Sequence, residues 1–175
     1  MIFSRSQPGL VLLLGALMPC LAPAAAQAKA FITQGGNIPR GQIYLSPMLG
    51  LGFDNFVEAG FAGSYMLVPH GFVPQINNSV HAEGTIFQDL VGRDRTGAFG
   101  GRMRWDFHPH PQWSPYAAPG FAFRFGDDDR HTGLEVTGVV GGFFHVNESI
   151  SLRAETDLAG FYDHAGIRGG VAFRL

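Results

Sequence analysis

The stretch Ala98–His108, AFGGRMRWDFH, decides the fold. An extended strand turns successive side chains to opposite faces, so Phe99, Gly101, Met103, Trp105 and Phe107 share one side. Gly100, Arg102, Arg104, Asp106 and His108 share the other. A soluble sandwich would not expose the first row to water, and hydrocarbon would not accept the second. The pattern predicts a membrane strand with its apolar row toward lipid and its charged row toward an enclosed lumen.

Reading toward the carboxyl terminus, the same alternation returns. Tyr116–Phe125 sets Phe121, Phe123 and Phe125 against Gly120, Ala122 and Arg124, with Pro109–Pro115 read as a turn. Gly133–Val146 sets Leu134, Val136, Val140, Phe144 and Val146 against Glu135, Thr137, Val139, Phe143 and His145. Ile150–Tyr162 places Ser151, Arg153, Glu155 and Asp157 inward. Ala165–Leu175, AGIRGGVAFRL, closes the chain with Ile167, Val171, Phe173 and Leu175 outward and Arg168 and Arg174 inward.

Toward the amino terminus there are three more such segments. Gln42–Phe53 carries a flaw at Pro47, Val57–Val68 places Glu58 inward, and Val80–Leu90 places His81, Glu83 and Asp89 inward and Val80 outward. Turn signals separate them at Asp54-Asn55, Pro69–Ser79 and Gly92–Arg95, and further along at Asp127–Arg130, Asn147-Glu148 and Asp163-His164. No stretch has a helical period. The fold class expected is all-β: an eight-stranded antiparallel up-and-down transmembrane β-barrel over residues 42–175, preceded by a cleavable signal peptide. With an even strand number, Gln42 and Leu175 lie on one side of the membrane, expected to be periplasmic.

The inward rows gather Glu58, Glu83, Asp89, Asp106, Glu135, Glu155 and Asp157 against Arg102, Arg104, Arg124, Arg153, Arg168 and Arg174. The lumen of an eight-stranded barrel is just wide enough for side chains to fill, so these groups are expected to form an ion-pair network rather than an open pore. Arginine suits such enclosure, and Lys29 is the sole lysine of the chain. The lipid-facing set expected is Phe99, Met103, Trp105, Phe107, Phe121, Phe123, Val171, Phe173 and Leu175.

Met1–Ala28 reads as a signal peptide: Arg5 precedes the apolar run Gly9–Leu17, and Ala26-Gln27-Ala28 offers a cleavage site. The apolar run is too short for a membrane helix, which takes about 20 residues. Residues 29–41 form an irregular lead. The single cysteine, Cys20, lies within the leader, so the barrel carries neither disulfide nor thiolate site. A formal net charge of -2 with no basic run excludes a nucleic-acid partner.

The chain resembles the small eight-stranded outer-membrane proteins of OmpA, OmpX and OmpW type. The likeness rests on Trp113-Ser114-Pro115-Tyr116 followed by Gly120–Phe123, on Asn147–Glu155 (NESISLRAE), and on the closing VAFRL. It implies an outer-membrane location, contact with membrane lipid and lipopolysaccharide, and recognition of the final strand by the barrel-insertion machinery. Two features depart from the family: Leu175 stands where phenylalanine is commoner, and the outer loops are short.

Some barrels of this kind remodel lipid A, which needs a serine activated by a histidine that an acid orients. The family's His-x-Ser-Asn stretch is absent, and His81 beside Glu83 has no evident serine. His108-Pro109-His110 has the donors for a metal, and Asp127–Asp129 the oxygens for calcium, but a proline-bounded turn and a charged hairpin tip account for both without a ligand. The expectation is a monomeric, non-enzymatic outer-membrane barrel without cofactor or metal and with a structural, envelope-integrity role. The alternatives are a narrow channel for small or apolar solutes, a lipid A-modifying enzyme, and a soluble periplasmic ligand-binding barrel turned inside out.

Overall fold

Runs of period two joined by short polar turns fold as a meander, each strand pairing with the next until the last meets the first. The computed structural model describes residues 42–52, 57–73, 76–91, 96–126, 132–159 and 166–175. The expected signal peptide and lead segment, and the expected turns at Asp54-Asn55, Gly92–Arg95, Asp127–Arg130 and Asp163-His164, lie outside the described residues, as do Phe53, Phe161 and Tyr162. The strands are β1 (Ile43–Gly52), β2 (Val57–Val68), β3 (Asn78–Val91), β4 (Thr96–Phe107), β5 (Trp113–Gly126), β6 (Gly133–His145), β7 (Ile150–Ala159) and β8 (Gly166–Arg174). They form a closed antiparallel barrel in sequence order. The Leu175 amide donates to the Ile43 carbonyl at 3.0 Å, so both ends of the barrel domain lie at one rim, called here the terminal end.

The outer wall is apolar. Phe99, Phe121, Phe123, Leu134, Val136, Phe144, Leu152, Ile167 and Phe173 are all exposed on it. Met103 and Leu175 join them, while Trp105, Phe107 and Val171 are half-buried on the same face. Val80 departs from the expected pattern. It belongs to the outward row yet is only 1% exposed, and its row neighbour Asn78 is held by the carbonyls of His70, Val73 and Ile76 from the preceding connection.

Three strands begin earlier than the sequence pattern suggests. β3 starts at Asn78, two residues before Val80, β4 at Thr96, two before Ala98, and β5 at Trp113 rather than Tyr116. Pro115 had argued for a turn. It is tolerated because Trp113, Ser114 and Pro115 pair only with β6, while the β4 ladder stops at Asp106↔Tyr116. Pro119 and Pro47 follow the same rule. Pro119 sits where the β4 ladder skips from Arg102↔Gly120 to Trp105↔Ala117, and Pro47 where the β8 ladder skips from Leu45↔Phe173 to Met48↔Gly170. A proline lacks the N–H that a ladder needs, so each occupies a gap in one of its two ladders.

Inside, two apolar patches pack the wall: Tyr116, Ala118, Val139, Phe143 and Ala172, and separately Met48, Ala62 and Phe87. Gly120 lets β5 close on β4, since a Cβ there would run into the Gly101 carbonyl and the Arg102 backbone. The remaining lumen is polar.

Candidate functional site

Alternation turns one side chain in two inward from every strand, and closure brings rows distant in sequence to one axis. At the centre stands Glu83 of β3. Its Oε1 accepts from Arg102 Nε at 2.6 Å and Arg153 Nη2 at 2.8 Å; its Oε2 accepts from Arg104 Nη1 at 2.6 Å and Arg153 Nη1 at 2.8 Å. Three guanidiniums on one carboxylate are tolerable because each has a second acid. Arg102 and Arg153 both donate to Glu155, and Arg104 makes a two-pronged contact with Asp106 at 2.8 and 3.0 Å. The Tyr116 hydroxyl donates to Glu155 at 2.6 Å and accepts from Arg153 Nε at 3.0 Å.

Aromatic faces complete the enclosure. The Arg104 guanidinium lies 4.7 Å from the Phe143 ring centre and 5.6 Å from those of Tyr44 and Tyr116; Arg153 lies 5.2 Å from Tyr116. Delocalised, weakly hydrated guanidiniums gain from such faces where water is excluded. Arg104 is fully buried and Glu83, Arg153 and Glu155 are 3% exposed, so this layer plugs the terminal half of the lumen.

Toward the opposite end the packing loosens. Arg168 joins Glu58 and Asp157, the latter at 2.8 Å, and reaches Glu155 at 3.7 Å, while its guanidinium lies 4.7 Å from the Phe87 ring centre. Arg124 pairs with Glu135 at 3.0 Å as a separate, half-buried unit. Between them is a cavity of about 70 Å³ lined by Glu58, Asp89, Arg102, Arg124, Glu135 and Arg168 among others. That is room for a few waters, and it ends on the Arg102 layer.

Two residues expected in the network stand apart from it. Asp89 accepts from the Thr96 hydroxyl, and Arg174 sits at the terminal rim opposite Tyr44; neither makes an ion pair among the described residues. Of the other eleven, nine form one connected set, and Arg124 and Glu135 form the separate pair.

A second constellation was not legible in the sequence. Around the terminal rim, serines and histidines alternate in one hydrogen-bonded belt. His81 Nε2 meets Ser79 at 3.1 Å, Ser79 meets His108 Nε2 at 2.9 Å, and His108 Nδ1 meets Ser114 at 2.8 Å. Ser114 then meets His145 Nε2 at 2.9 Å, and His145 Nδ1 meets Ser151 at 2.8 Å. A neutral imidazole offers one donor and one acceptor. Asp106 lies 3.3 Å from His81 Nε2; with the proton on that nitrogen, every later bond runs from His81 toward Ser151. Burial pushes the His108 imidazole below its ordinary value, with Asp106 opposing and His145 and Arg104 adding to the fall.

At His81 the arrangement differs from that of an acid-oriented general base. His81 Nε2 faces both Ser79 and Asp106, while its Nδ1 is buried without a partner; an acid-oriented base would use both nitrogens. The acid beside His81 is also Asp106 rather than Glu83, which the arginines occupy. His110 points elsewhere, its Nδ1 accepting from the Gln112 amide at 3.1 Å, and no group of three metal-ligating side chains occurs among the described residues.

No family model and no curated protein matches this sequence. Solved structures do match in fold. A de novo designed transmembrane β-barrel aligns with a TM-score of 0.60 at 14% identity, over 79% of this chain and 98% of its own. The N-terminal β-barrel domain of Pseudomonas aeruginosa OprF aligns at 0.55 and 12% identity, over 78% and 98%. The Yersinia pestis outer membrane protein Ail, solved in a phospholipid bilayer nanodisc, aligns at 0.51 and 12% identity, over 78% and 100%. The fold is that of the small eight-stranded transmembrane barrels.

Proposed function

We propose that this chain, an eight-stranded barrel of the outer-membrane type, is a monomeric, non-enzymatic envelope protein of the outer membrane whose sealed lumen serves rigidity rather than passage. The observation that carries the reading is the Glu83 layer. One carboxylate holds three arginines drawn from β4 and β7, and aromatic rings cover Arg104 and Arg153, so ions and solutes meet paired charges rather than water. The apolar wall supports lipid and lipopolysaccharide as its surroundings, and the outward Phe173 and Leu175 of the closing end support capture of that strand by the barrel-insertion machinery.

The cavity above Arg102 favours one rival, a narrow channel. Planar-bilayer recording separates the two. The refolded protein is expected to give no stepwise conductance, whereas reproducible unitary steps would overturn the sealed-lumen reading. Unchanged lipid A mass spectra from cells with and without the protein are the matching expectation for a barrel without lipid-modifying activity.

A further inference from the structure

Asn78 and Val80 belong to the outward row of β3 and pair across the strand with Phe107 and Trp105. Yet they are 0% and 1% exposed, whereas Ile86 and Leu90 on the same row are 55% and 58% exposed. Residues 69–73 and 76–77, in the longest connection between described strands, lie against this outward row. The Asn78 amide holds it there, donating to the carbonyls of Val73 at 2.8 Å, His70 at 3.4 Å and Ile76. The same side chain accepts from the Trp105 indole at 2.7 Å. Gly71 makes the approach possible: its φ is 52°, and a Cβ there would collide with the Asn78 amide.

A segment tied down this firmly still shows apolar side chains outward. Phe72 is 65% exposed and Ile76 36%, and residues 69–77 contain no lysine, arginine, aspartate or glutamate. The Phe72 ring meets Trp105 edge-on at 6.0 Å, and Trp105 lies 5.0 Å from Phe107. Trp105 shares its row with Met103 and Phe99, so the patch continues the apolar wall. Aromatic rings with one polar contact favour the boundary between headgroups and acyl chains.

We propose that Phe72, seated on Trp105, and Ile76 form a lipid-docking foot that inserts into the acyl-headgroup boundary of the leaflet at the terminal end. The inference rests on the lipid-facing reading of the wall. The test places an environment-sensitive fluorophore on Phe72→Cys, on Ile76→Cys, and on Phe121→Cys in mid-wall, each in a Cys20→Ser chain. Each is reconstituted in phosphatidylcholine vesicles carrying shallow or deep spin-labelled acyl chains, with iodide on both sides. Heat-modifiable gel migration verifies folding, and Ile76→Cys keeps the Phe72 ring in place. Labels at 72 and 76 are expected to be quenched several-fold more by the shallow lipid label than by iodide, with the label at 121 quenched by the deep one. Iodide quenching at 72 and 76 with position 121 still in lipid overturns the foot alone. Iodide quenching at 121 overturns the membrane reading beneath it.

Discussion

Replacing Glu83 by glutamine changes one atom and removes the charge that three arginines share. The volume is conserved, so no cavity term enters. The four hydrogen bonds that Glu83 accepts lose their ionic character, and the new amide turns a donor toward guanidiniums that only donate. Removing one partner from a buried ion pair costs about 3–5 kcal/mol. Here Arg102 and Arg153 keep Glu155 and Arg104 keeps Asp106, which argues for the lower end, about 3 kcal/mol or roughly a hundredfold in the unfolding equilibrium. Equilibrium urea unfolding in lipid vesicles, followed by tryptophan emission and gel migration, measures it. A companion variant, Glu83→Met with Arg153→Met, removes both signs together, and Arg102 and Arg104 each retain one acid. It should lose less than Glu83→Gln alone, because apolar replacement of a complete buried pair is close to neutral. A loss below about 1 kcal/mol for Glu83→Gln, or a double variant at least as damaged as the sum of its singles, would refute the lattice reasoning.

The rim belt should make stability depend on pH. The unfolded chain protonates His108 near its ordinary value of about 6.5 while the folded barrel resists, so stability holds above that value and falls as the pH drops below it. The urea midpoint should decline from about pH 7 to about pH 5, less steeply in His108→Asn. Ser114→Ala leaves two imidazole nitrogens facing each other without their bridge, and unfolding at neutral pH should show a loss of about 1–3 kcal/mol. Phe121→Arg puts a charge on the mid-wall and should cost about 2–4 kcal/mol in vesicles, more in thick bilayers than near the interface. Gly120→Ala presses a methyl group into the β4 backbone and should cost about 1–3 kcal/mol by the same assay.

The barrel was legible because alternation survives where one row meets lipid and the other a charged lumen. Ala98–His108 states both requirements within a single strand. What escaped was set by contacts between strands. Pro115 reads as a turn until its place in a ladder gap is known, and that misreading left Ser114 outside any strand. Starting β3 at Val80 likewise left Ser79 in a loop. Ser79 and His108 are 29 positions apart, and Ser114 and His145 are 31 apart, so no local motif announces the belt. Val80 obeys the alternation and is covered all the same, because covering depends on a loop folding back rather than on its own neighbours. Within the lattice, the inward placement of Glu83, Arg102, Arg104, Arg153 and Glu155 follows from parity alone. Which acid each arginine takes, and that Asp106 rather than Glu83 stands beside His81, depends on the stagger of the closed sheet.

One measurement bears most directly on which way the rows point. Spin labels placed singly from Ala98 to Phe107 in vesicles report access to oxygen, which concentrates in hydrocarbon, and to a water-soluble nickel chelate. Oxygen access should rise and fall with a period of two, highest at Phe99, Gly101 and Met103, with both reagents excluded at Arg102 and Arg104. Nickel reaching Arg102 and Arg104 while Phe99 and Met103 are shielded from both would mean that the greasy face is an interior, and the membrane barrel would be wrong.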